Sequence, residues 1–211
     1  GTRSEPFSLR MLGEILAGDP SFREYMFWMG LFGGGNFMLT AHLVVIFSEQ
    51  LHFSSALQIA LLSVVPLATL PLFTPYWARL FDGSHIVVYR SRQGWALVAA
   101  TVITCIGTFT EWLPLLWVGA IVLGAAYAGA NLGWNLGHND FASIGRAQHY
   151  MGVHVTLTGV RGAIAPPAGI LLYEALENWQ RGWGRYALVL PLLMTTAGAL
   201  GFNHMRRAFE R

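Results

Sequence analysis

No lysine occurs in these 211 residues, and all 13 basic side chains are arginine. Charge of either sign is scarce. Asp, Glu, Lys and Arg together make up 11% of the chain, against about 25% in a typical soluble domain. So few charges do not cover a water-exposed surface of this size, and lipid is the expected solvent. A nucleic-acid binder needs a concentrated basic face, which a formal net charge of +2 excludes. The single cysteine, Cys105, has no partner for an internal disulfide, and its apolar surroundings mark it as packing. The polar N-terminus of mixed charge lacks the pattern of a signal peptide. A start at Gly1 fits a processed chain or a portion of a longer one. No nucleophile–base constellation is present, so an enzyme is not expected. His138, Asp140 and His149 share a loop, but at no standard zinc spacing. No metal or other cofactor is expected.

What the chain does have is long apolar runs. A bilayer core about 30 Å thick takes roughly 20 residues of helix to cross. Six stretches qualify: residues 25–47, 57–77, 91–109, 113–136, 151–173 and 186–202. The fold class follows: an all-α polytopic membrane protein of about six transmembrane helices. Residues 1–24 read as a linker, 25–204 as the bundle and 205–211 as a tail. In the linker, Leu9, Leu12, Ile15 and Leu16 recur at helical spacing, as in a short helix lying on the membrane surface or packed on protein. Arginines fall mainly on one side: Arg3, Arg10, Arg23, Arg79, Arg90, Arg92, Arg146, Arg206, Arg207 and Arg211, against Arg181 and Arg185. The positive-inside rule then places both termini in the cytoplasm, and a bacterial inner membrane is the expected location. Trp28, Trp77, Trp95, Trp112, Trp179 and Trp183 fall near span ends, as an aromatic belt would.

Polar side chains are unevenly shared among the spans. The first holds Asn36 and His42, the second Gln58, Ser63 and Thr74, the fourth Asn131 and Asn135, the fifth His154, Thr156, Thr158 and Arg161. Beyond Ser91, Arg92 and Gln93 at the start of the third, the third and sixth hold only mild polar groups, threonines and Cys105, and are expected to face lipid. The third position of each triplet thus differs from the others, which suggests the three-plus-three repeat that transporters use. Helical spacing aligns His154, Thr158, Arg161 and Ala165 on one stripe, Tyr127, Asn131, Asn135 and His138 on another, and Gly33, Asn36 and Thr40 on a third. Asn36 and Arg161 fall near the midplane, where polar faces turn toward a bundle interior or a wet cavity.

Three features carry a family resemblance. Ala78-Arg-Leu-Phe-Asp82-Gly83 follows the second span. Leu9-Arg-Met-Leu and Asp19-Pro-Ser-Phe-Arg23 precede the first. Asn131-Leu-Gly-Trp-Asn135, Tyr150-Met-Gly-Val-His154 and Pro166-Pro-Ala-Gly169 occupy the fourth and fifth. With these the chain resembles the C-terminal six-helix half of a major facilitator superfamily transporter, over nearly its whole length. Gly83-Ser-His-Ile stands where the family has a tight basic run, with Arg90 and Arg92 displaced. The resemblance implies that spans one, two, four and five line a central path, that Asp82 and Arg79 form a gating loop, and that a second six-helix half completes the path.

Arg161 is the foremost candidate. A midplane arginine costs at least about 2.5–3.5 kcal/mol to insert, and no Asp or Glu lies within the spans at similar depth. Its partner is an anionic solute, a carboxylate of a second half or neighbouring chain, or carbonyls and asparagines of this chain. Asn36, Asn131, Asn135 and Thr158 are candidate pathway residues, the asparagines equally readable as interhelical glue. His154 is a proton-relay candidate or an interfacial histidine. Gly33-Gly34-Gly35 suits close packing, since no Lys-Ser/Thr follows to make a phosphate loop. Pro166-Pro167 suggests a kink. The expected function is a secondary transporter, or half of one, that moves a small polar or anionic solute by alternating access. The other reading is a non-transporting subunit that stabilises a larger membrane complex.

Overall fold

The computed structural model describes residues 8–143 and 145–210, and the backbone but not the side chain of Leu9. Arg3, Arg211 and the first seven residues of the linker, all part of the reading above, lie outside them. The described chain is helical, with no strand. A short helix α1 (Leu9–Gly18) precedes six long ones. These are α2 (Pro20–Glu49), α3 (Ser55–Asp82), α4 (Ile86–Thr110), α5 (Leu113–Leu136), α6 (Ala147–Trp179) and α7 (Val189–Phe209). A single 3-10 turn, Gly137–Asp140, extends α5, and another, Trp183–Leu188, leads into α7. Each long helix is apolar and long enough to cross a bilayer, as the sequence suggests, though most run past the predicted spans by several residues.

Local chemistry sets the ends. Asp19 caps α2 through Oδ1, which accepts from the Phe22 amide at 2.9 Å, and Pro20 takes the first turn, where no N–H is needed. The other Asp19 oxygen accepts from the Tyr150 hydroxyl at 3.0 Å and ties the start of α2 to α6. Asp140 accepts from the Ile86 amide at 2.5 Å, so the end of the α5 segment caps α4. Glu111, at φ 54°, ends α4 in the left-handed region and allows the tight turn into α5. In α3, Pro66 carries no N–H, and just before it the helix widens into a π turn over Ala60–Val64. Pro71 and Pro75 lie within the same helix, and Pro166-Pro167 within α6, yet both helices run on.

The order of packing carries the architecture. Neighbours run α3–α5–α4–α7–α2–α6 as a strip, and its end members α3 and α6 do not pack on each other. Exchanging each span for the one three later reverses this order onto itself. Spans related in that way cross in opposite directions, which makes the repeat an inverted three-plus-three. Glycines bring the members close. A Cβ on Gly35 would lie 2.8 Å from the Pro191 carbonyl of α7, and one on Gly94 would lie 3.2 Å from Ala199 Cβ. Both are small-residue contacts of the kind that holds membrane helices together. Between α2 and α6, the His42 ring bonds the Gly169 carbonyl at 2.7 Å.

The third and sixth spans, α4 and α7, were expected to face lipid. They form the centre of the strip and are among its most buried helices, yet each keeps an exposed apolar edge, at Ile106 of α4 and at Leu193 and Leu200 of α7, while α3 and α6 are the most exposed. The α1 helix rests on protein: Ile15 is buried with Phe22 and Tyr25, and Met11, Leu12 and Leu16 pack around it.

Gly35→Leu should disturb this packing, because α7 backbone stands in the way. Its thermal midpoint in detergent should fall, with a loss of about 1–3 kcal/mol. Gly30→Leu, where nothing lies within 4 Å, should change it little. Equal effects would contradict the close α2–α7 approach.

Candidate functional site

A cleft of about 810 Å³ runs along the open side of the strip. Met29, Gly33, Asn36, Phe37 and Thr40 of α2 line it on one side, and Tyr127, Asn131 and Trp134 of α5 on the other. Arg90 and Leu97 of α4 lie at its back, Leu67 and Leu70 of α3 flank it, and Thr158, Arg161 and Pro166 of α6 complete it. Among the described residues no carboxylate lines it.

Arg161 lies near the middle of α6, about 21 Å from its start. One terminal nitrogen donates to the Met29 carbonyl at 2.7 Å, and the other donates to Thr158 Oγ1 at 3.0 Å. Thr158 donates in turn to the His154 carbonyl at 2.8 Å. The Arg161 guanidinium carbon stands 5.7 Å from the Phe37 ring centre, within cation–π range. Gly33 makes the room: a Cβ there would sit 2.6 Å from that carbon. Five N–H donors less two used leave three, and Nε, buried without a partner, is one of them. Across the cleft, the Tyr127 hydroxyl donates to Asn36 Oδ1 at 3.2 Å.

A second guanidinium was not anticipated. Arg90, counted from the sequence with the arginines on the side of both termini, is 1% exposed and stands inside α4. It donates to Gln93 Oε1 at 2.8 Å and to the Ala130 carbonyl at 3.3 Å, and its Nε has no partner. Gln93 is also buried, and donates to the Ala126 carbonyl at 3.1 Å. The sequence signal for this pair is the four-residue spacing of Gly129 and Gly133 on α5. A Cβ on Gly129 would lie 2.8 Å from Gln93 Cγ, and one on Gly133 2.8 Å from the Arg90 guanidinium carbon.

The structure thus brings together Arg161, Thr158, Asn36 and Asn131 around one cleft. It does not bring in Asn135, which is exposed and donates to the Asn131 carbonyl of its own helix at 2.8 Å. His154 is fully buried, edge-on to Trp134 at 5.7 Å between ring centres, and neither ring nitrogen has a hydrogen-bond partner among the described residues. Asp82 and Arg79 are both exposed at the end of α3, and no ion pair joins them among the described residues. No three His, Cys, Asp or Glu side chains group at metal-binding range among the described residues.

Two cations in an apolar cleft without a carboxylate set up a strong positive potential, since low-dielectric walls screen it poorly. The arrangement suits an organic anion whose charged group meets the guanidiniums and whose apolar part meets Phe37, Tyr127 and Trp134. No family model matches the chain, and no curated protein or solved structure matches it.

Gly33→Ala should displace the Arg161 guanidinium while the helices remain. With the Met29 bond lost, an interaction worth about 1.5–3 kcal/mol for a charged donor, Arg161 should react with phenylglyoxal roughly tenfold faster or more. Mass spectrometry of the modified peptide reads this. An unchanged rate would contradict the glycine niche.

Proposed function

We propose that the chain is one six-helix half of a secondary transporter, of the kind found in the major facilitator superfamily, and that it moves a small organic anion by alternating access. The observation that carries this reading is the pair Arg90 and Arg161 on one cleft that no acid lines among the described residues. An anion supplies what the cleft lacks, and the unused N–H groups of Arg161 give it a place to bind. A second six-helix half, from the same polypeptide or a neighbour, covers the open side, and rocking of the halves exposes the cleft to each side in turn. The exposed apolar residues of α3 and α6, among them Leu72, Tyr76, Ile164 and Leu171, suit such a contact. In this reading the protein sits in a bacterial inner membrane. Arg10, Arg23, Arg79, Arg92, Arg146, Arg206 and Arg207, against Arg181 and Arg185, support both termini in the cytoplasm.

A second reading is a non-transporting subunit that braces a larger membrane complex. The anchoring of Arg161 on the chain's own Met29 carbonyl and Thr158 favours it. In that case Arg161 is a clamp between α6 and α2, and its loss costs stability rather than uptake.

Uptake into proteoliposomes by the native protein, screened across small organic anions, separates the two. Arg161→Ala should lower anion uptake about 10–100-fold, the worth of charge-assisted bonds of about 1.5–3 kcal/mol. Arg161→Lys should recover part of it, since lysine keeps the charge but not the forked donor. Unchanged uptake in Arg161→Ala would remove the arginine from transport. No anion uptake by the native protein, with a large stability loss in the variant, would favour the bracing subunit.

A further inference from the structure

The central cleft is not uniform along its length. Its charged groups lie between the middle of the bundle and the end that carries both termini. Arg161 stands at the level of Gly33 and Met29. Arg90 stands at the level of Ala130 and Gly133, between Tyr127 and the end of α5. Asn131, Trp134 and Thr158 share that half.

Beyond Asn36, toward the other end, the lining changes character. It includes Thr40, Ala41 and Val44 of α2, Leu67 of α3 and Pro166 of α6. Gly124 of α5 meets the Pro66 carbonyl of α3, which sets Leu67 about one turn farther from the termini than Tyr127. Thr40 is the one polar side chain among these, and its hydroxyl already donates to the Asn36 carbonyl at 3.2 Å. Asn36 Oδ1 is in turn taken by Tyr127. Gly33 and Val44 are eleven residues apart, so this apolar wall runs about 16 Å past the Arg161 guanidinium. The cleft thus has a cationic end and an apolar end.

The two arginines differ in what they offer. Arg90 is 1% exposed and committed to Gln93 and the Ala130 carbonyl, so it adds positive potential from behind the wall. Arg161 is less buried, and its Nε has no partner. It is the contact point for a charged group.

We propose that the anion of this cleft is a single-headed amphiphile, one anionic group on an unbranched alkyl chain. Its head meets Arg161, and its tail lies along Val44 and Leu67, away from the termini. This rests on the reading of the cleft as an anion site and narrows the class of anion. A compact hydrophilic anion such as sulfate finds the guanidinium but leaves the apolar wall facing water. A dicarboxylate of the same length has to bury its second charge among Val44, Leu67 and Pro166, where no unused donor stands among the described side chains. Each methylene fully buried on the wall adds about fourfold in affinity.

The test is protection of Arg161 from phenylglyoxal in the purified full chain in nanodiscs, read by mass spectrometry of the modified peptide. Butyrate, octanoate, suberate and sulfate are the probes, each with its free concentration measured in the aqueous phase. Octanoate should half-protect at a concentration about thirtyfold to two-hundredfold below butyrate, the worth of its added methylenes. Suberate, with the same carbon chain and a second carboxylate, should protect no better than butyrate. Val44→Gln with Leu67→Gln should remove most of the octanoate advantage and leave butyrate unchanged, which separates a tail seat from general partition into the bilayer. Both residues are exposed, and size-exclusion behaviour with an unaltered ligand-free modification rate checks the fold. Protection by sulfate or suberate as strong as that by octanoate would overturn the amphiphile and leave the anion site standing. An octanoate advantage that persists in the double variant would overturn it too. Absence of protection by every probe would remove the anion reading itself, and the amphiphile with it.

Discussion

A guanidinium in the middle of a hydrocarbon slab has to find hydrogen bonds where there is no bulk water. That requirement organises this molecule. Arg161 meets it with the Met29 carbonyl and Thr158, and Gly33 leaves the space in which the bonds form. Each partner comes from a feature that would otherwise weaken a helix. A glycine in a helix interior costs about 1 kcal/mol relative to alanine, and a threonine favours other conformations. Here both are used to settle a charge whose insertion costs several kcal/mol. Nearer the end of its helix, the buried Arg90 is settled in a similar way on α4, by Gln93, the Ala130 carbonyl and the niche at Gly133.

The strip architecture explains why both charges reach one surface. α4 and α7 pack on each other at the centre, α5 and α2 lie outside them, and α3 and α6 end the row. The row curves, so residues on α2, α5 and α6 share a cleft with Arg90 from the helix behind. Because α3 and α6 do not close on each other, that cleft stays open along one side. Glycine contacts hold the centre of the strip, while its end members keep large exposed apolar residues such as Leu72 and Ile164. The strip is thus most tightly packed at its centre and leaves its end members α3 and α6 the most exposed.

The six crossings were legible because hydropathy over about 20 residues is a strong signal. The polar stripe of Thr158 and Arg161, with Asn36 and Asn131 opposite, was legible for the same reason: polar groups stand out against apolar helices. Helix burial was not. Lipid and protein interior are equally apolar, so hydropathy did not rank the helices by burial, and the informative marks were the glycine contacts of α4 and α7 with α5 and α2. The burial of Arg90 was not legible, because one turn of helix separates a loop arginine from a buried one, and charge counting treats them alike. Asn135 and His154 share stripes with cleft residues, yet a stripe about 100° wide covers more than the cleft does. Asn135 falls on its exposed edge, and His154 on the buried edge beside Trp134.

The central claim is that the midplane polar residues border a wetted cleft rather than lipid or sealed interior. Single cysteines at Asn36, Asn131 and Thr158, in a Cys105→Ala background, test it most directly with a membrane-impermeant maleimide applied to the purified protein in nanodiscs. The account predicts that all three label at rates well above cysteines placed at Ile106 and Leu193, which are exposed on the apolar surface. Labelling of the cleft positions no faster than those two would mean that no aqueous route reaches Arg161, and would contradict the account.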